Sequence, residues 1–431
     1  MSRRAVITGM GVVSPLGIGK EENWQHLLAG TSGISRISRL NVEHLPVKLG
    51  AEVKNFNPKQ FISDRKALRL SFLNVHLGLA AAKLAVDDAA LPLDKIDPTR
   101  FGAVIGSGGG GFDDGPGYED LNEPILRSWD EEEKTFDSAK FGEKGVPVAH
   151  PLFLLKALPN NAFYYISLLY NIQGENNNII SSYTGGSQAI GDAFRSIRRG
   201  DADLMIAGGY DCLLTPNTLF SLHAMNLLSG QEDPATACRP FDFMRDGMVA
   251  GEGAGFVLVE ELSHAQNRGA QIYAEIVGYG NASSAYHIYQ PAPGGDGMSR
   301  AILRALADAQ LDAAAVGWVS ADGIATQESD RAEVCALKTV FGDRLSQLPV
   351  SATKSMTGHL GSASGAIESV YAGLALCQGL LPPTINYEHP DPDCALDLVL
   401  NQPREKQIEA ALSINQGIGG QCTALMFKKY A

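Results

Sequence analysis

Paired-cysteine motifs, long apolar runs and clusters of positive charge are all missing from this sequence, and each absence removes a class of function. The six cysteines (Cys212, Cys238, Cys335, Cys377, Cys394 and Cys422) are scattered without a CxxC spacing. They suggest neither a zinc site nor a disulfide framework, and they read as reduced, mostly buried thiols. No apolar run approaches the ~20 residues that span a bilayer. The opening MSRRAVITGMGVV has neither the apolar core nor the cleavage site of a signal peptide, so a cytoplasmic location without membrane attachment is expected. Lys and Arg number 35 against 48 Asp and Glu, a formal charge of −13 with no basic stripe, which argues against a nucleic-acid partner. Low-complexity tracts are also absent, and 45% hydrophobic residues suit an ordered globular chain.

What is present is alternation. Short apolar runs ending in glycine (AVITGMGVV, FGAVIGSG, NNIISSYTGG, ADLMIAGG, GAGFVLVEE, AEIVGYG, GWVSADG, AALSINQGIGG) are separated by stretches with helical spacing. Helices are predicted over Ala67 to Asp88, Gln188 to Arg199, Met298 to Ala309 and Arg331 to Phe341. The reading is an α/β protein with buried sheets. At 431 residues the chain exceeds one simple core. The order of elements up to residue 251 is roughly repeated over 252–431, which suggests two related halves. The charged, turn-rich stretch from Phe112 to Gly145 reads as a surface excursion.

Two local patterns invite chemical readings. Gly106-Ser-Gly108-Gly-Gly-Gly111 satisfies GxGxxG, but FDDGPGYED follows where a dinucleotide site needs an apolar helix, so a glycine-rich turn is expected. The run Asn178-Ile-Ile-Ser-Ser-Tyr183-Thr-Gly-Gly-Ser187 reads as a strand, a sharp turn and a helix start, the geometry of a nucleophile elbow. Ser187, with Asp322 and His359 later in the chain, follows the order of a hydrolase triad, yet Ala189 closes the near-miss to GxSxG. A small packed helix residue is the favoured reading of Ser187.

Longer motifs cover nearly the whole chain. The opening RRAVITGMGVVSPLG, Arg239-Pro-Phe-Asp242 with Arg245-Asp-Gly247, Gly251-Glu-Gly-Ala-Gly255, Lys354-Ser-Met-Thr-Gly-His359-Leu-Gly, Leu381-Pro-Pro-Thr-Ile-Asn386 and Gly417-Ile-Gly-Gly420 resemble elongating β-ketoacyl-ACP synthases. The resemblance implies a thiolase-like αβαβα sandwich of two related halves, normally dimeric. It also implies a cysteine on the elbow that carries the acyl chain, and two histidines that assist malonyl decarboxylation and condensation.

This sequence departs from that pattern where the chemistry is done. Tyr183 stands at the cysteine position, and Asp322, in Ala321-Asp-Gly-Ile-Ala-Thr326, at the first histidine. A thiol near pKa ~8.5 is strongly nucleophilic, whereas a phenol near ~10 is not and is bulky besides. An enolate oxygen needs N–H donors, and an Asp with an ordinary value near ~3.9 repels it. Lys354, His359 and Glu368 match family active-site positions; with no nucleophile beside them, a buried polar network is the favoured reading. Thr326 matches one of two threonines that touch the phosphopantetheine arm, and Ile324 replaces the other. Ile418 stands where the family has a phenylalanine gate. His287 and Tyr289 lie in a loop the family shares, and a structural role is expected for the histidine.

This combination is similar to the chain-length factors of type II polyketide synthases. The resemblance implies pairing with a catalytic ketosynthase as a heterodimer, service by acyl carrier protein through its phosphopantetheine arm, no permanently bound cofactor or metal, and a tunnel at the subunit interface. Phe112, Phe163, Tyr164 and Tyr165 are the expected tunnel residues. Two alternatives remain: a malonyl-ACP decarboxylase without the condensing cysteine, and a Ser187-dependent hydrolase.

Overall fold

Two glycines show how closely the middle layer is packed, Gly106 within the first half and Gly209 across to the second. A Cβ on Gly106 would lie 2.1 Å from the Gly185 carbonyl carbon, and one on Gly209 would lie 2.4 Å from the Ser362 carbonyl oxygen. These close approaches are possible only without side chains. Gly106 of the GxGxxG pattern is therefore a packing residue inside a strand. The computed structural model describes residues 3–108 and 115–430, so Gly109 to Gly111 and Phe112 lie outside the described residues.

The ten main strands are β1 (Ala5–Ser14), β2 (Phe101–Ser107), β3 (Asn176–Ile180), β4 (Leu204–Cys212), β5 (Glu252–Glu261), β6 (Ala274–Ser283), β7 (Trp318–Ser320), β8 (Pro349–Ser351), β9 (Ala410–Gln416) and β10 (Gln421–Lys428). Their spatial order is β3-β2-β4-β5-β1-β6-β10-β9-β7-β8, with short additions at Gly17–Ile18 and Asp397–Leu398. Counted from β1 or from β6, each half shows the same order, first-fifth-fourth-second-third. The pairings are also the same in each, antiparallel for the first two and parallel for the last two. The halves meet where Ala5 faces Ile276. β5 completes the first set and the order starts again at Ala274.

The main helices are α1 (Leu73–Asp88), α2 (Asn161–Tyr170), α3 (Gly185–Arg199), α4 (Asp296–Ala309), α5 (Gln327–Phe341) and α6 (Ala363–Gln378). α3 and α6 contact strands of both halves and form the middle layer, while α1 covers β1, β5 and β4 outside and α4 covers β6 and β10. This is the thiolase-like αβαβα sandwich. Burial follows the layers: every residue of β1 is buried, and on α6 only the last two residues escape.

Three expectations need correction. The helix predicted over Ala67 to Asp88 is broken: a short helix, Arg65–Arg69, ends where the Ser71 hydroxyl turns back onto the Ala67 carbonyl, and α1 starts after an extended Phe72. The other predicted helices begin two to four residues earlier than expected, at Gly185, Asp296 and Gln327. The excursion from Phe112 to Gly145 is not all turns, since Gly115–Arg127 is helical and Trp129–Asp130 pairs with Thr135–Phe136. No described helix is long and apolar enough to cross a membrane.

Candidate active site

The middle-layer helices begin close together, and the loops before them bring most of the expected residues to one place. The elbow follows β3: Ser182 has a φ of 46°, in the left-handed region, and Tyr183 sits in the single turn Ser182–Thr184 that leads into α3. Ser182 adopts this strained backbone because the neighbouring structure holds it. Ser362 supplies much of that hold. Its hydroxyl donates to the Ser182 carbonyl (2.5 Å), its carbonyl accepts from Gly186 N–H (3.1 Å), and its own N–H donates to Asp211 (2.9 Å). A Cβ on Gly186 would lie 2.3 Å from the Ser362 carbonyl oxygen, which explains the paired glycines after Tyr183.

Tyr183 is buried in an apolar cluster with Leu213, Met248 and Ala250, and Ile324 and Ile418 pack against the same cluster. Burial, and secondarily Asp211, push its phenol well above the ordinary value, so it stays protonated. The His359 ring lies 4.2 Å from the Tyr183 ring, tilted by 55°. His359 Nδ1 accepts from Gly361 N–H (3.1 Å), which assigns the ring proton to Nε2, and Nε2 has no hydrogen-bond partner. A tilted contact of this kind lets an N–H rest on a π face. Burial and then the Lys354 charge push the His359 value well down, so the ring is neutral.

Behind the rings lies a buried polar chain. The Lys354 ammonium donates to the Asp322 carbonyl (2.7 Å), the Asp322 carboxylate (3.0 Å) and Glu368 (2.7 Å). Glu368 accepts from Asn415 (2.6 Å), whose amide oxygen in turn accepts from the Ser187 hydroxyl (2.6 Å). Burial alone would lower the Lys354 value, but Asp322 and Glu368 hold it above the ordinary one. One cation thus faces more carboxyl groups than it can neutralise. Burial accordingly pushes Glu368 up to about 7 against the pull of Lys354, and burial with Asp322 pushes Glu333 well up.

That imbalance makes stability pH-dependent. A carboxyl whose folded value lies above its ordinary 4.5 stabilises the fold fully below that pH and loses the contribution as pH rises towards 7. Glu368→Gln is therefore expected to flatten the fall of Tm between about pH 5 and 7 relative to the parent, a difference read by calorimetry at matched salt.

Tyr183, Asp322, Lys354, His359, Glu368, Ile324 and Ile418 are thus brought together. Thr326 is buried and its oxygen accepts from Ser329 N–H, capping α5. Ser187 is buried and has no imidazole among its partners, so the triad geometry is not there. Phe163, Tyr164 and Tyr165 lie apart, on α2, and diverge: Tyr165 is 6% exposed in the first-half core, whereas Tyr164 is 58% exposed. Phe163 and Tyr164 line a surface groove of about 420 Å³. His287 accepts from the N–H groups of Tyr289 and Gln290, a loop-fixing role. Sequence reasoning missed Glu333, which accepts from the N–H groups of Asp322 and Gly323 (2.8 Å each), as well as Asn415 and Asp211. No motif flags them, because each acts through backbone or a bridging amide.

None of the six cysteines lies on the elbow; Cys212 donates to Glu252 and Cys238 to the Lys354 carbonyl. The sequence pattern described as "Beta-ketoacyl synthase, N-terminal domain" matches residues 2–265, and "Beta-ketoacyl synthase, C-terminal domain" matches 273–388. The chain belongs to the β-ketoacyl synthase family. It is 39% identical over 429 residues to "3-oxoacyl-[acyl-carrier-protein] synthase 2" of Staphylococcus aureus (strain COL), covering 100% of this chain and 99% of that one. The protein of the same name in Coxiella burnetii (strain RSA 493 / Nine Mile phase I) is 39% identical over 428 residues, with 99% of each chain covered. Among solved structures, the ketosynthase complex "AntDE:AntF (apo): type II PKS acyl-carrier protein in complex with its ketosynthase bound to the hexaketide" matches with a TM-score of 0.86 at 32% identity. "The ishigamide ketosynthase/chain length factor" matches at 0.88 and 29%, and both comparisons cover 100% of both chains. As a β-ketoacyl synthase, this chain has the family's fold, and the turn ahead of α3 presents Tyr183.

Proposed function

We propose that this β-ketoacyl synthase homologue is a non-condensing, chain-length-factor-like subunit that pairs with a catalytic ketosynthase and shapes the chain-elongation tunnel. The observation that carries the reading is Tyr183. A buried, protonated phenol packed against a neutral His359 cannot accept an acyl group from a thioester at useful rates. Asp322 agrees with it: its carboxylate is held on the Lys354 ammonium and offers an enolate no N–H. Substrates would come on the phosphopantetheine arm of acyl carrier protein. With one lone pair of its oxygen capping α5, the Thr326 hydroxyl keeps its proton and one further lone pair for that arm.

Pairing is supported by an open surface. β3 ends the sheet, and beside it Tyr164, Leu168 and Ile180 are 58%, 60% and 55% exposed. An unpaired edge strand next to apolar side chains is a surface that a partner covers. Leu168→Glu combined with Leu169→Glu is expected to abolish one-to-one complexes with a condensing ketosynthase in native mass spectra. An unchanged complex would remove this face from the interface.

The His359 N–H without a partner favours one alternative, a decarboxylase that polarises the malonyl thioester carbonyl. Incubating the chain with acyl- and malonyl-loaded carrier protein, followed by intact-protein mass spectrometry, tests both readings. The subunit reading expects no covalent adduct and no loss of carbon dioxide from malonyl carrier protein by this chain alone. An adduct on Tyr183 or Ser187, or decarboxylation without a partner, would overturn it.

A further inference from the structure

A row of arginines runs along one side of the molecule, between two stretches of open strand backbone. β6 pairs with β1 only over Ala274–Ile276, so beyond Val277 its second edge is free. Side chains stop that edge. Asp308 accepts from Tyr279 N–H (3.0 Å), Arg304 donates to the Asn281 carbonyl, and Arg300 donates to the Ser283 carbonyl (2.8 Å). Arg195 of α3 lies with its guanidinium carbon 4.4 Å from the centroid of the Tyr279 ring. Residues 279, 281 and 283 alternate along the strand, so their outward groups repeat at about 6.8 Å. Two guanidinium groups are thereby held on alternate strand carbonyls, with a third, that of Arg195, over the Tyr279 ring. At one end, Ser284 N–H donates to the Gly420 carbonyl in the turn that carries Ile418. At the other, Arg199 bridges to Glu175, which immediately precedes the open strand β3.

Capping a free edge accounts for one donor on Arg300 and one on Arg304. It does not require arginine, and it does not account for Arg195. In a chain of net charge −13, the notable feature is that this row forms no direct ion pair among the described residues. Arg195, Arg300 and Arg304 have no carboxylate within 4.0 Å among the described residues. Several acids near the row are paired, Asp308 with Arg198, Asp201 and Glu175 with Arg199, and Asp203 with Arg3 and Arg100, whereas Asp296, one turn before Arg300 on α4, is exposed and forms no ion pair among the described residues. Asp192, beside Arg195, is part-buried; burial raises its value while the charges of Arg195 and Arg199 pull it down.

We infer that Arg195, Arg300 and Arg304 form a docking row for the acidic face of a different protein, and that this row opposes association of two copies of the chain through the same side. A twofold dimer presents each patch to its own copy, so two such rows would meet with like charge. The inference deepens the proposed pairing with a catalytic subunit and rests on it for that partner's identity.

The test compares the wild type with R195Q/R300Q/R304Q, in which glutamine keeps an N–H donor for the strand carbonyls, and with R195K/R300K/R304K, which restores the charge. Self-association of the wild type, followed by sedimentation, is expected to tighten about tenfold between 0.05 and 0.5 M salt as screening shortens the reach of like charges. The glutamine variant is expected to associate as tightly at low salt as at high, and the lysine variant to behave as the wild type. A fluorescein-labelled octaglutamate peptide is expected to bind the wild type and the lysine variant, weakening about tenfold over the same salt range, and not to bind the glutamine variant. Equal peptide binding by all three, or tight self-association insensitive to both salt and substitution, would overturn the inference. Binding of inorganic polyphosphate without octaglutamate would replace it with a phosphate site, and where no form self-associates the peptide arm decides. Acyl adducts on the chain would instead refute the silent-subunit reading, so the two failures are separable.

Discussion

Replacing Tyr183 with cysteine is expected to convert an inert elbow into an acylatable one while leaving condensation absent. The position lies one turn ahead of α3, where unpaired N–H groups and the helix dipole favour an anion, and a thiol at such a place ionises more readily than its ordinary ~8.5. The nearby Asp211 opposes this, as it does for the phenol. Deleting a buried ring leaves a cavity against His359, Ile324 and Ile418, costing roughly 2–4 kcal/mol by the pattern of large-to-small core changes. That same cavity is the room an acyl chain needs. Peptide mapping after iodoacetamide, or after acyl-loaded carrier protein, should show modification at position 183 rising from none towards stoichiometric. Exposed Cys335 and Cys377 react in both proteins and serve as internal controls. Malonyl carrier protein should still give no condensation product, because Asp322 and not an imidazole faces the enolate. If residue 183 stays unmodified although the variant is folded, Tyr183 is not what silences the site.

The relatives named 3-oxoacyl-[acyl-carrier-protein] synthase 2 share the whole length of the chain. Their similarity therefore speaks for fold and ancestry more than for chemistry, which changes with two side chains. On the proposed reading, two side chains, Tyr183 and Asp322, hardly alter overall identity, yet together they would leave the site without a nucleophile and without one of the donors that an enolate needs. What remains conserves geometry: the strained Ser182, the glycine contacts and the Ser362 stitch all belong to an elbow built to present something.

Much of this was readable beforehand, for identifiable reasons. Strands such as AVITGMGVV are apolar on both faces because helices cover both, and that continuous pattern survives in the sequence. Tyr183, Asp322 and Lys354 could be placed because each sits in a motif with fixed neighbours. The break at Leu70 to Phe72 was hidden, since a serine turning back on its own helix leaves the apolar spacing intact. Glu333 and Asn415 were hidden because their partners are a backbone N–H and a distant carboxylate, contacts no spacing rule encodes. The α2 aromatics differ in burial: neighbours on a helix point about 100° apart, so Tyr164 faces solvent and Tyr165 the core.

Lys354→Met is expected to be the most destabilising single change in the site. The ammonium is 1% exposed and answers both Asp322 and Glu368, with Glu333 holding the next two backbone N–H groups of the same loop. Replacing an exposed member of such a pair would matter little, since solvent screens it. Removing the buried cation that Asp322 and Glu368 share leaves them without its opposite charge, and breaking a buried pair in this way costs about 3–5 kcal/mol. The sign of the pH dependence separates this cause from lost packing, because methionine nearly matches the volume of the lysine stem. A carboxyl deprived of its cation can be relieved only by taking up a proton. The deficit should therefore be larger at pH 8, where protonation is costly, than at pH 5, where Glu368, already pushed up to about 7 by burial, is readily protonated. Urea unfolding of both proteins at the two pH values measures this directly. A deficit that is the same at both would assign the loss to packing and leave the Lys354 charge without the structural role given to it here.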